Sequence, residues 1–112
     1  MRYSTPVRNE PAANIAVVMP VKNGQQFIAA AIESLLHQRL LPAQIIVVDD
    51  GSTDNTRARL EAEFGDRIRL LSQPNRGVSA ARNAGIAEST GAFIALTQRL
   101  ARRPTAIFRF GP

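Results

Sequence analysis

Two uninterrupted apolar runs, Ile15-Ala16-Val17-Val18-Met19 and, directly after Gln44, Ile45-Ile46-Val47-Val48, constrain this chain more than any other feature. Both are rich in β-branched residues, and neither alternates with polar ones. A strand with one wet face cannot look like this, so the runs belong in a parallel sheet covered on both faces. Between them, Phe27, Ile28, Ala31, Ile32, Leu35 and Leu36 recur at helical spacing from Gln25 onward, and Pro42 ends the pattern. Pro20 is expected to close the first strand. The dense turn Asp49-Asp50-Gly51-Ser52-Thr53-Asp54 closes the second, with Ser52 or Asp54 as candidate caps for the helix that follows. That helix reads through Ala58, Leu60, Ala62 and Phe64 to a stop at Gly65.

Further on, Ile68 to Leu71 reads as a short third strand and Gln73 to Gly77 as a loop. A small-residue helix from Val78 to Ala87 leads through Thr90-Gly91 to a fourth strand, Phe93-Ile94-Ala95-Leu96. Strict alternation of strand and helix predicts an α/β fold, a Rossmann-like parallel sheet with flanking helices on both faces. The boundaries follow as a polar N-terminal arm over 1–14, an α/β domain over 15–96 and a basic, atypical tail over 97–112. Pro6 and Pro11 discourage regular structure in the arm.

Composition narrows the function classes. A chain of 112 residues suffices for one core, burying roughly 60% or more of its unfolded surface. The absence of cysteine removes disulfides, zinc thiolates and a thiol nucleophile. No apolar stretch approaches the roughly 20 residues of a membrane helix, and the first 14 residues carry no signal-peptide core. The expected address is the cytoplasm. Of the net charge of +5, residues 97–112 hold +4 in Arg99, Arg102, Arg103 and Arg109. The domain is thus close to neutral, which argues against nucleic acid as its partner.

Ligands of open α/β sheets sit beyond the carboxyl ends of the strands. This selects three loops: Pro20 to Gly24, Asp49 to Asp54, and Gln73 to Gly77. Side chains alternate along a strand, so Asp49 and Asp50 point different ways, one toward a ligand and the other bracing the turn. Two readings stay open, ligand-binding carboxylates or turn formers. Arg82, in Gly77-Val78-Ser79-Ala80-Ala81-Arg82-Asn83-Ala84-Gly85, is either a forked cation suited to phosphate or a surface charge on a tightly packed helix. His37 reads as a helix-end residue, and Phe108 and Phe110 as part of the tail rather than a stacking platform. No Walker loop or three-glycine dinucleotide fingerprint is present. A receiver domain would carry its acidic pair after the first strand, where Pro20-Val21-Lys22-Asn23 stands instead.

In order and spacing, the blocks Val17–Gly24, Ile45–Asp54, Gly77–Gly85 and Gly91–Leu96 together resemble the family 2 glycosyltransferases. The resemblance implies the nucleotide-sugar-binding half of a GT-A fold, and with it transfer of a sugar from a nucleotide diphosphate sugar, a UDP-sugar above all, to an acceptor hydroxyl. It assigns nucleotide binding to Pro20, Val21, Lys22, Asp49, Asp50 and Arg82. Within the acidic pair, Asp50 is the residue implied at base and ribose. Lys22 stands where the family usually has a tyrosine, so the resemblance does not carry base stacking to it.

The departure comes after the fourth strand. There the family shows a Leu-Asp-X-Asp-Asp stretch whose carboxylates hold Mg²⁺ or Mn²⁺ on the diphosphate, whereas this chain has Gln98, Arg99 and Leu100. No cofactor is therefore evident in this chain, and no catalytic residue is assigned. The change suggests a shifted reading frame: one G inserted before the Thr97 codon would restore Asp, then Ala if that codon was ACG. The chain is accordingly expected to be truncated and inactive alone, with a C-terminal half missing. Its tail is expected to pack loosely and to complete no sheet. The alternatives are a non-catalytic nucleotide-binding or interaction module, or a nucleotidyltransferase-like domain. The latter would carry a glycine-rich loop after its first strand, which Pro20 to Gly24 does not supply.

Overall fold

The computed structural model describes residues 11–37, 41–90, 93–96 and 106–109. The strands are β1 (Pro11–Val21), β2 (Leu41–Asp50), β3 (Arg69–Gln73), β4 (Phe93–Leu96) and β5 (Ala106–Arg109). The helices are α1 (Ile28–Leu36), α2 (Thr56–Phe64) and α3 (Val78–Glu88), with a short 3₁₀ turn at Gly65–Arg67. They form one five-stranded sheet in the order β3-β2-β1-β4-β5. The first four strands are mutually parallel, and β5 runs antiparallel to β4.

The apolar runs are buried on both faces, as their lack of alternation requires. Ile15, Val17, Met19 and Val21 of β1, with Ile45 and Val47 of β2, pack against Ile28, Ala31, Ile32 and Leu35 of α1 and Leu60 and Phe64 of α2. Val18, Ile46, Val48 and Ile94 turn to the other face and pack against Ala81 of α3. The handedness rule explains the division. The chain steps from β1 to β2 to β3 in one direction, then returns past β1 to reach β4. A right-handed crossover taken in the opposite direction drops its helix on the opposite face.

Small residues bring α3 close. A Cβ built on Gly85 would lie 2.3 Å from Val18 Cγ1 and 3.3 Å from Val48 Cγ2. The small-residue pattern is therefore a packing requirement, at least on this side of α3. By contrast α2 buries only Thr56, Leu60 and Phe64, a narrow stripe spaced by one turn. Its outer surface is charged, with the pairs Arg57–Glu61 and Arg59–Glu63 one turn apart.

Three expectations need correction. The first strand starts before Ile15, since Pro11 already pairs with Leu41 and β1 carries an irregularity between Ala12 and Ala16. Pro20 does not close β1, which continues to Val21. Pairing with β4 reaches only Val18, so Pro20 lies beyond the stretch held on both sides. Finally, residues 106–109 of the tail do extend the sheet, with Phe93 opposite Arg109 and Leu96 opposite Ala106. A hydrogen-bonding strand edge accepts a partner on backbone geometry, whatever the composition of the segment.

Candidate functional site

The three loops chosen from sequence gather at the carboxyl edge of β1, β2 and β3. The first two are tied together by side chains of the turn after β2. Asn23, at a φ of 53°, stands in the left-handed region that asparagine tolerates. Its Oδ1 accepts from Thr53 N at 2.8 Å, and from Thr53 Oγ1 and Asp54 N at 3.3 Å each. In return its own N–H donates to Ser52 Oγ at 2.9 Å, and Gly24 N–H donates to the buried Thr56 Oγ1 at 2.8 Å. Gln25 N donates to Asp54 Oδ2 at 3.3 Å, while Asn55 N donates to Gln25 Oε1 at 2.8 Å.

This clasp revises the capping expectation. Asn55 occupies the N-cap of α2 without a side-chain bond. Asp54 acts one residue earlier, its Oδ1 accepting from Thr56 N at 2.9 Å and Thr56 Oγ1 at 2.5 Å. Ser52 does not cap; it holds the first loop. Hydrogen bonds keep the Asp54 carboxyl below its ordinary value, the Thr56 hydroxyl first among them.

The adjacent carboxylates divide their work. Asp49, 4% exposed, accepts from Ser52 N at 3.0 Å and braces the turn. Asp50, 5% exposed, reaches the third loop. Its Oδ1 accepts from Gln73 Nε2 and from Arg76 N, both at 2.8 Å, and its Oδ2 accepts from Gly77 N at 3.0 Å. Asn75 Nδ2 donates to the Asp50 carbonyl at 3.2 Å. Burial pushes the Asp50 carboxyl upward. The Arg76 N–H, the Gln73 amide, the Gly77 N–H and the charge of Lys22 outweigh it, so the group sits below its ordinary value. Gly51 lets the loops approach: its φ is 76°, and a Cβ there would come within 2.7 Å of Asn75 N.

Between these loops opens a cavity of about 190 Å³, lined by Pro20, Val21, Lys22, Asp50, Asn75, Gly77 and Val78. It is smaller than the roughly 300–1,000 Å³ of a pocket that encloses a whole small molecule. Four of the six residues chosen from sequence meet here: Pro20, Val21, Lys22 and Asp50. Asp49 does not line it, and neither does Arg82, which is half-buried one turn beyond Val78 on α3. Asn75, Gly77 and Val78 were missed as lining residues, although the third loop had been selected. Their signal was the Asn-X-Gly turn at the start of a helix, where glycine permits the φ of 100° seen at Gly77. Val78 is 47% exposed, and an exposed valine is an apolar wall in search of cover.

A larger cavity of about 400 Å³ lies away from these loops, between α2 and the edge strand β3, lined by residues such as Arg57, Leu60, Asp66 and Leu70. His37 is the C-cap of α1, exposed, with Nδ1 at 2.7 Å from the Glu33 carbonyl, which is the helix-end role expected of it. Phe108 pairs with Ile94 in the sheet, and Phe110 lies outside the described residues.

Gln98, Arg99 and Leu100, where the resemblance implies a metal, also lie outside the described residues, and none is a carboxylate. Among the described residues no three His, Cys, Asp or Glu side chains come together. Asp49 and Asp50 are engaged by backbone N–H donors. A hard divalent ion needs several oxygen ligands, and the residues present do not fit it. No helix among the described residues is long and apolar enough to cross a membrane.

Comparison with known proteins gives a consistent result. The family model "Glycosyl transferase family 2" matches residues 16–97. The uncharacterized glycosyltransferase YibD of Escherichia coli is 40% identical over 83 residues, which cover 72% of this chain and 24% of YibD. The chain thus spans about a quarter of that relative's length. Among solved structures, the glucosyl-3-phosphoglycerate synthase of Mycobacterium tuberculosis, in complex with Mn²⁺, UDP-glucose and phosphoglyceric acid, superposes with a TM-score of 0.64. The identity is 27%, over 77% of this chain and 33% of that one. TarS 1–349 of S. aureus gives a TM-score of 0.64 at 25% identity, over 76% of this chain and 27% of that one.

Proposed function

The chain belongs to glycosyl transferase family 2, and from that premise we propose that its cavity receives the nucleoside end of a nucleotide diphosphate sugar. The observation that carries this is the meeting of Pro20, Val21 and Lys22, from the end of β1, with the buried Asp50 around one small cavity. Pro20, Val21 and Val78 supply apolar walls for a flat base, while Asp50 and Asn75 supply polar contacts to fix its orientation. At the cavity wall the Asp50 carboxylate is the acceptor that a base N–H or a ribose hydroxyl would meet.

A UDP-sugar is the donor of first choice. The synthase described above binds UDP-glucose, and it shares this part of the fold. In a complete enzyme the sugar would pass to an acceptor hydroxyl and leave the nucleoside diphosphate behind. This chain carries the donor half of that reaction. Asp49 serves the site by holding the turn, and Arg82 is carried on α3, whose first residue, Val78, lines the cavity.

Calorimetry with UDP, UDP-glucose, GDP and ADP tests the reading. Asp50→Ala should weaken nucleotide binding by about 1–3 kcal/mol, the range for a hydrogen bond to a charged group. Asp49→Ala should lower the melting temperature and leave affinity nearly intact. Equal and negligible effects of the two changes on binding would remove the assignment.

A further inference from the structure

We infer that this pocket balances the charge of a nucleoside diphosphate with the chain's own cation, Lys22, in place of a divalent ion; the inference rests on the nucleotide reading above. Three observations converge on it. First, the described residues bring no cluster of carboxylates to the cavity, which Asp50 lines and Asp49 does not. Asp49 accepts from Ser52 N, and Asp50 takes three donors from the third loop. Second, the positions after β4 offer Thr97, Gln98, Arg99 and Leu100, without a carboxylate. Third, Lys22 is exposed and lines the cavity beside Asp50, whose carboxylate feels its charge.

The electrostatics of the rim then favour an anion. The N–H donors of the third loop stabilise the Asp50 carboxylate, and the charge of Lys22 acts on it. Gly77 and Val78 place the start of α3, an eleven-residue helix, against the same cavity. The positive end of that helix adds to the ammonium of Lys22. A diphosphate leaving the cavity along this side meets a cation on a long stem, while a divalent ion meets repulsion from Lys22 and, among the described lining residues, the single carboxylate of Asp50. Lys22 therefore reads the phosphate end of the ligand, and the cavity reads the nucleoside end.

The test compares uridine, UMP and UDP by calorimetry, each in EDTA and in Mn²⁺, with the full chain and with Lys22→Ala and Lys22→Arg. Lys22 is exposed, so both variants should keep the parent melting temperature. In EDTA, UDP should bind about tenfold more tightly than uridine, as expected for charge-assisted contacts to phosphate. Mn²⁺ should change the UDP affinity by less than about twofold, against the strong response of a metal-dependent site. Lys22→Ala should erase most of the gap between UDP and uridine, read as the ratio of the two affinities within each variant, and Lys22→Arg should restore it. Tightening by Mn²⁺ of about tenfold or more, or a gap that survives in Lys22→Ala, would overturn the inference and leave the nucleotide reading standing. UDP binding no tighter than uridine would do the same. Failure of uridine, UMP and UDP alike to bind would bring down the nucleotide reading itself.

Discussion

Asp49 and Asp50 are chemically identical neighbours, and the pleat of β2 gives them different tasks. One carboxylate holds Ser52 N and the other holds the loop from Gln73 to Gly77. The alternation was legible in sequence, since adjacent strand residues point oppositely. The identity of Asp50's partners was not, because Arg76 and Gly77 donate through backbone N–H groups that no side-chain pattern announces. The arrangement makes a pH prediction. Asp50 and Asp54 both sit below their ordinary value of 3.8 when folded. Their stabilisation is therefore complete above that value, and it is lost as pH falls through the lower folded values. Thermal melts from pH 7 to pH 2 should show a fall in Tm that begins near pH 4. In Asp50→Asn the starting Tm should be lower and the acid fall shallower. An unchanged acid limb in that variant would mean that Asp50 does not hold the loop.

Among the elements, α3 depends most on the absence of side chains. Gly85 faces Val18 and Val48 at a distance that leaves no room for a methyl group. Alanine improves helix propensity by about 1 kcal/mol over glycine at an exposed site. Here overpacking should win, and Gly85→Ala should destabilise by roughly 1–3 kcal/mol. Urea unfolding would measure this, and a stabilised variant would show that α3 can lift from the sheet without loss. The elements also show where sequence reading stops. Leu60 and Phe64 were chosen correctly as core positions of α2, whereas Ala58 and Ala62 lie exposed. Alanine is small enough to suit either side of a helix, so its side is decided by what the helix packs on.

For the whole molecule, strand order matters more than any single element. The return of the chain past β1 places β4 beside it and leaves the ends of β1 and β2 to meet the start of α3 over the cavity. β5 then covers the far edge of β4, which carries the buried Ile94, 1% exposed. Deleting residues 106–112 should uncover that edge, lower the Tm and promote association, which light scattering would detect. An unchanged Tm with no association would show that β5 contributes nothing to the sheet, and would restore the expectation of a loosely packed tail.

The sequence by itself determined the class of fold, the four parallel strands, the two-sided burial and the three loops that line the cavity. These follow from local periodicity and turn chemistry, which act over a few residues and are written in order along the chain. Only the tertiary structure decided that Ser52, Thr53 and Thr56 hold the first loop, that Asp50 holds the third, and that Asn75 and Val78 complete the cavity wall. It also decided that part of the basic tail joins the sheet. Each of these depends on partners some 10 to 32 positions away in the chain. Many of the contacts run through backbone N–H groups and open strand edges. Every residue type except proline offers those donors, so only the folded geometry selects among them.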